Sequence, residues 1–232
     1  MAIITREGKG SALSHTEMDN NFVELDTIPN GKVFPKEADK GIKIDTASPD
    51  FGWHDLQGQM IIDYDDPGHA VFSPLVGGLK ALKFSEGGSA YFAFHLPHDY
   101  ALGTDIFIHV HWTHNDSLIT DGAVTWGFEM AYEKGHGQTP TGQHKLLAIP
   151  QTVPLTPMTH MIAESACSVV GGSGTQLDTN ELEPDGIIFA KMYLDSDDII
   201  STGSHDIFAF FVDIHYQSTG LGTKNKEPNF YA

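Results

Sequence analysis

The sequence predicts an all-β fold, a jelly-roll-like antiparallel β-sandwich preceded by a short N-terminal helix and an extended arm. Three observations carry this prediction. Short runs of alternating apolar and polar residues recur from about Phe51 onward, turn signals separate them, and no long helical pattern interrupts them. About eight such runs suit a sandwich or barrel, and the jelly roll is the natural eight-stranded version.

The first 50 residues read differently. Ser14-His15-Thr16-Glu17 is a capping box, in which the Ser14 hydroxyl accepts the Glu17 amide hydrogen and the Glu17 carboxylate reaches back. Met18, Phe22 and Leu25 follow at helical spacing as one narrow apolar stripe, and Pro29-Asn30-Gly31 stops the helix. A helix of about 12 residues is marginal alone, so the stripe must dock on its own domain or on another protein. Residues 32–49 carry charges and little periodicity, and read as a linker or extended arm. The expected domains are therefore 1–50, helix and anchoring arm, and 51–232, the β domain.

The predicted strands occupy 59–64, 70–76, 90–96, 105–113, 123–132, 159–170, 187–194 and 206–216. Asp66-Pro67-Gly68, Gly87-Gly88, Asp121-Gly122 and Asp185-Gly186 supply turns between them. Period two sorts the faces. Ile106, Ile108, Val110 and Trp112 oppose Phe107, His109, His111 and Thr113. Val124, Trp126, Phe128, Met130 and Tyr132 oppose Thr125, Gly127, Glu129 and Ala131. Phe208, Phe210, Val212, Ile214 and Tyr216 oppose Ile207, Ala209, Phe211, Asp213 and His215. The first face of each strand suits a core. The second is too apolar for open water and too polar for a core, which is the composition of a subunit interface. Phe107, His109, His111, Glu129, Phe211, Asp213 and His215 are the interface candidates.

Charge limits the partners. The 232 residues hold 13 Lys and Arg against 31 Asp and Glu, a net charge of −18. Such a surface cannot neutralise nucleic-acid phosphates and is repelled by an anionic membrane. No run approaches the ~18 apolar residues needed to span a bilayer, and no signal peptide precedes the first polar segment. Neither nucleic acid nor membrane insertion is expected. Six of the 13 basic residues lie in the first 50 positions, so the acid excess belongs mostly to the β domain. Cys167 is the only cysteine, which excludes an intrachain disulfide and a cysteine-rich zinc site, and it reads as a buried strand residue.

Thirteen histidines leave one metal pattern to weigh. Gly103 followed by His109-Val110-His111 copies the opening of the cupin metal motif, and Asp213-Ile214-His215 offers a second same-face pair. A metal reading would use His109, His111 and His215. Against it, Asp116 is the only acid nearby where the motif needs a Glu, and the second cupin half is absent. The expectation is no cofactor, with the histidines packed in a subunit contact. Glu181, Glu183 and Asp185, like Asp195, Asp197 and Asp198, lack the regular spacing of a calcium loop. There is no Gly-x-Ser-x-Gly elbow, and nothing compels an enzyme. Trp53, Tyr91 and Tyr100 are the aromatics that a carbohydrate-binding groove would use.

The stretch Gly10-Ser11-Ala12-Leu13-Ser14-His15-Thr16-Glu17-Met18-Asp19-Asn20-Asn21-Phe22 resembles a recurrent segment of tailed-bacteriophage tail fibres and related virion proteins. That segment reads roughly Gly-x-x-Leu-Thr-x-x-Glu-hydrophobic-Asp-x-Asn-Phe, with a Leu a few residues on. Leu13, Glu17, Met18, Asp19, Asn21, Phe22 and Leu25 match, and Ser14 replaces a Thr that caps equally well. In the body, Leu96-Pro97-His98-Asp99-Tyr100, Gly103-Thr104-Asp105 and His109-Val110-His111-Trp112 look like the β-rich domain of small phage structural proteins.

The resemblance implies a homotrimeric jelly-roll module anchored to a virion through Leu13, Ser14, Glu17, Met18, Phe22 and Leu25. The expected function is a non-enzymatic tail-fibre or spike-like component on the particle exterior. Its partners are copies of itself, other virion proteins and, in host attachment, a host-surface glycan. A capsid decoration protein of the same fold is the nearest rival. A cupin-like metal-dependent enzyme is the rival of another class.

Overall fold

The computed structural model describes residues 33–34, 43–44 and 51–230, and the chain divides into two compact units, Met1–Phe51 and Gly52–Ala232. In the first unit, β1 (Val33–Phe34) pairs antiparallel with β2 (Lys43–Ile44). The expected helix and the anchoring candidates Leu13, Ser14, Glu17, Met18, Phe22 and Leu25 lie outside the described residues.

The second unit is built from strands. In chain order these are β3 (Gly52–Gln57), β4 (Gln59–Ile61), β5 (Val71–Val76), β6 (Leu79–Phe84), β7 (Ser89–His95), β8 (Phe107–His114), β9 (Ile119–Asp121) and β10 (Ala123–Glu133). There follow β11 (Gln143–Thr152), β12 (Met161–Ala166), β13 (Ser168–Val169), β14 (Leu177–Asp178), β15 (Ile187–Asp197), β16 (Ile200–Ser201) and β17 (Ile207–Ser218). Among the described residues there is no α-helix, and no helix long and apolar enough to cross a membrane.

One sheet runs β11-β10-β15-β7-β4, and the other runs β12-β8-β17-β6-β5. β3 pairs with the second half of β17, beyond the stretch that pairs with β6. Eight strands, β6, β7, β8, β10, β11, β12, β15 and β17, pass back and forth between the sheets, with β10 and β11 a hairpin in one sheet, to give β6-β17-β8-β12 over β7-β15-β10-β11. That is the jelly-roll order. Trp112, Trp126, Phe128, Met130, Ile108, Val110, Val212 and Ile214 fill the space between the sheets, with Trp126 edge-on to both Phe84 and Trp112.

Eight runs were expected and eight strands make the jelly roll, but they are not the same eight. The runs at 59–64 and 70–76 become the peripheral β4 and β5, while β6 and β11 belong to the barrel order and carry weak sequence signals. β11 contains Pro150, which an edge strand tolerates because its outer amides need no partner. β6 is masked by the Gly77-Gly78 turn and by two lysines within it. The run at 159–170 breaks at Cys167, whose buried thiol donates to the Ile106 carbonyl at 3.3 Å.

The period-two assignment of β17 also fails at one point. A bulge between Ala209 and Phe211 shifts its register against β8. Ile207 and Ala209 therefore face the core beside His114 and Trp112, and Phe210, expected inside, is 36% exposed. Beyond the bulge the assignment holds, with Val212 and Ile214 inside.

Candidate functional site

The bulge in β17 sets what stands on the outer face of its sheet. Antiparallel pairing aligns side chains in rows across the strands. One row is Ala166, Phe107, His215 and Asp55, from β12, β8, β17 and β3. The next is Glu164, His109, Asp213 and Gln57, and the third is Ile162, His111 and Phe211. Six of the seven interface candidates thus share one patch. Glu129 does not: it lies on the opposite sheet, paired with His144 at 2.9 Å.

The patch is compact and largely closed. His109 and His215 pack with ring centroids 3.6 Å apart, and Phe211 stacks on His111 at 4.1 Å. Glu164 meets His109 Nε2 at 2.5 Å, Asp55 meets His215 Nε2 at 2.6 Å, and His160 Nε2 lies 2.9 Å from His111 Nδ1. Asp213 sits in the middle. Its carboxylate is 3.2 Å from His111 Nε2, 3.8 Å from His215 Nε2 and 4.0 Å from His109 Nδ1. The side chains of His109 and Asp213 are only 4% and 6% exposed. His109 Nδ1, His111 Nε2 and Asp213 Oδ1 are buried without a hydrogen-bond partner of adequate geometry. Burial pushes His111 below its ordinary pKa, with the Asp213 charge pulling against it, so its neutral form is favoured. Beside the patch, Trp53, Phe107, Glu164 and His215 line a cleft of about 260 Å³.

A second histidine group surrounds Asp185 at one end of the sandwich. Its carboxylate lies 3.3 Å from His95, 3.0 Å from His98 and 2.8 Å from His136. Phe230 packs edge-on to both His98 and His136. The remaining acids of that turn have partners of their own, Glu181 with Lys134 at 2.6 Å and Glu183 with Gln138. On the outer face of the other sheet, Ile61, Tyr91, Glu129, His144, Phe189 and Lys191 line a cleft of about 670 Å³.

No family model matches the chain, and no curated relative matches it. Solved structures give weak likenesses. One is the CBM22-1–GH10 segment of the Clostridium thermocellum endo-1,4-beta-D-xylanase 10B with xylohexaose, at TM-score 0.33 and 13% identity, over 70% of this chain and 26% of that one. Another is TmCBM61 with beta-1,4-galactotriose, at TM-score 0.26 and 12% identity, over 71% of this chain and 88% of that one. A third is the C-terminal family 22 carbohydrate-binding module of the same xylanase, at 0.31 and 11%, over 84% and 99%. The jelly-roll assignment rests on strand order and pairing, not on these superpositions.

The metal-ligand candidates divide. Among the described residues, His109, Asp213 and His215 place ligand atoms within 4.8 Å of one another, and His111 approaches this group through Asp213. Period-two reading of 105–113 and 206–216 had put these side chains on matching faces. It missed Asp55, because β3 was not recognised as a strand, and Glu164, although alternation along 159–170 could have placed it. His160 immediately precedes β12, and the same alternation along 159–170 would have put it on the face of Glu164. Of the groove aromatics, Tyr91 does line a cleft and Trp53 is exposed, whereas Tyr100 is buried with its hydroxyl donating to the Thr104 carbonyl.

Proposed function

We propose that the chain is a non-enzymatic structural component of a bacteriophage particle, tail-fibre or spike-like, with a body that packs against further copies of itself. The observation that carries this reading is the β5–β6 hairpin. β5 is the edge strand of its sheet, yet it exposes Val71, Phe72 and Val76, and Leu79 follows in β6 at 69% exposure. Monomeric proteins blunt such edges with charge, because an apolar edge invites another chain. The Leu13–Leu25 resemblance supports the phage setting, and the net charge of −18 suits the outside of a particle rather than contact with packed genome. In this reading residues 1–50 attach the protein and the body assembles as a trimer. Attachment to a host-surface glycan falls to the 670 Å³ cleft, where Tyr91 and Phe189 offer flat apolar rings beside Lys191 and Glu129.

Antibodies against the body, applied to intact particles of the phage that encodes the chain, test the reading by electron microscopy. Label on the tail is the expected result. Label confined to the capsid would favour a decoration protein, and particles without label would overturn the proposal. Changing Met18 and Phe22 to Ser should abolish incorporation if the first segment is the anchor.

A further inference from the structure

We propose that His109, Asp213 and His215, with His111 as the fourth donor, form a structural site for one divalent first-row transition-metal ion. The ion would clip β8 to β17.

Three independent observations converge on this site. First, donor spacing fits a shared ion. Ligand atoms about 2.0–2.2 Å from one metal stand roughly 3–3.6 Å from each other. The Asp213 carboxylate lies 3.2, 3.8 and 4.0 Å from nitrogens of His111, His215 and His109, and the ligand atoms of His109, Asp213 and His215 all fall within 4.8 Å of one another, so side-chain rotations that move these atoms by about an ångström close the set.

Second, the atoms that point inward are the ones left without partners. Buried polar atoms are paired in native proteins, because each has given up its hydrogen bonds to water. Here His109 Nδ1, His111 Nε2 and Asp213 Oδ1 are all buried without a hydrogen bond of adequate geometry, and His111 meets Asp213 only as an ion pair at 3.2 Å. A proton shared with Asp213 would satisfy one nitrogen at a time. A cation satisfies all three together.

Third, an outer layer already orients one of the rings. Glu164 holds His109 Nε2 and thereby turns Nδ1 toward Asp213, whereas Asp55 meets His215 on Nε2, the same nitrogen that lies 3.8 Å from Asp213, and must release it for that atom to take an ion. A carboxylate on the far nitrogen of a ligating histidine fixes its tautomer and strengthens it as a donor.

Donor chemistry chooses the ion. Three imidazoles and one carboxylate suit zinc, cobalt, nickel or copper, whereas calcium and magnesium prefer all-oxygen sets. The position argues for a structural role. His109 and Asp213 are directly opposed in the β8–β17 pairing, so a shared ion ties the two strands just past the bulge. Four protein donors in a buried patch also leave no open position for a substrate.

The test uses the full chain, stripped of metal and titrated with zinc or cobalt. One ion per chain should bind. At free metal a hundredfold above Kd, the thermal midpoint should rise by roughly 5–10 °C. Cobalt should give the visible bands of a four-coordinate nitrogen-rich site, a readout that needs no variant. His109→Gln and Asp213→Asn should lose the ion, while His136→Gln, in the separate Asp185 group, should keep it. Absence of stoichiometric metal, or binding that survives both site variants and fails in His136→Gln, would overturn the proposal. If Asp213→Asn does not fold, the wild-type cobalt spectrum decides, since an oxygen-only spectrum contradicts the site.

Discussion

Asp185 shows how one residue can gather a group that no motif announces. It and His136 both take left-handed backbone, with φ of 63° and 58°, and this aims their side chains at each other across the end of the sandwich. Burial acts to raise the Asp185 carboxyl, but a hydrogen bond from His136 and the charges of His98 and His95 outweigh it and hold it below the usual carboxylate range. A carboxyl lowered on folding stabilises the protein above its unfolded pKa of about 3.9, and that stabilisation disappears as pH falls through the folded value. Asp185→Asn keeps a side chain that tolerates positive φ but removes the charge. Thermal melts between pH 6 and 3 should therefore fall less steeply in this variant than in the wild type. Equal slopes would mean that the histidine ring contributes nothing to acid stability. Cys167 makes the opposite point: burial pushes its thiol up to about 12, which makes it an inert packing group.

Local backbone detail also decides how whole elements behave. Gly122, between β9 and β10, has φ of 122°, and a Cβ there would meet the Asp198 carbonyl at 2.4 Å. Neither contact partner nor backbone angle can give way cheaply. Gly122→Ala should cost about 2–4 kcal/mol in chemical denaturation, combining strain with overpacking. The bulge in β17 is subtler, because it changes faces without breaking the strand. It sends Phe210 outward against His160, keeps Ala209 under Trp112, and leaves Phe211, Asp213 and His215 in line with His111, His109 and Phe107. A strand without the bulge, with Val212 and Ile214 still inside, would have put Phe210 in the core and turned Ile207 and Ala209 outward.

For the molecule as a whole, the telling surface is apolar as well as acidic. Phe72 is 53% exposed and Leu79 more so, on the edge hairpin that the proposed assembly would cover. Light scattering on the purified full chain should report a trimer, and Phe72→Lys with Leu79→Lys should shift it to monomer. Since both side chains are exposed in the single chain, each change should alter monomer stability by no more than about 0.5 kcal/mol. A monomeric wild type would remove the main support for self-assembly. Loss of the folded state in the double variant, instead of dissociation, would show that the hairpin serves only its own sandwich.

Much of the architecture was legible because burial leaves a periodic trace. Alternation along 105–113 and 123–132 identified the core residues of β8 and β10, and the spacing of turns implied an eight-stranded jelly roll. The same alternation put His109 and His111 on one face and Asp213 and His215 on another. What alternation could not supply was adjacency, since pairing between residues a hundred positions apart depends on topology and register. Tertiary structure alone chose β6 and β11 over β4 and β5 as jelly-roll strands, and brought Asp55 to Nε2 of His215 and Glu164 to Nε2 of His109. It also inserted one unpaired residue in β17. A period of two records which side of a strand is buried; it cannot record which strand lies alongside, because that is settled by the packing of the two sheets together.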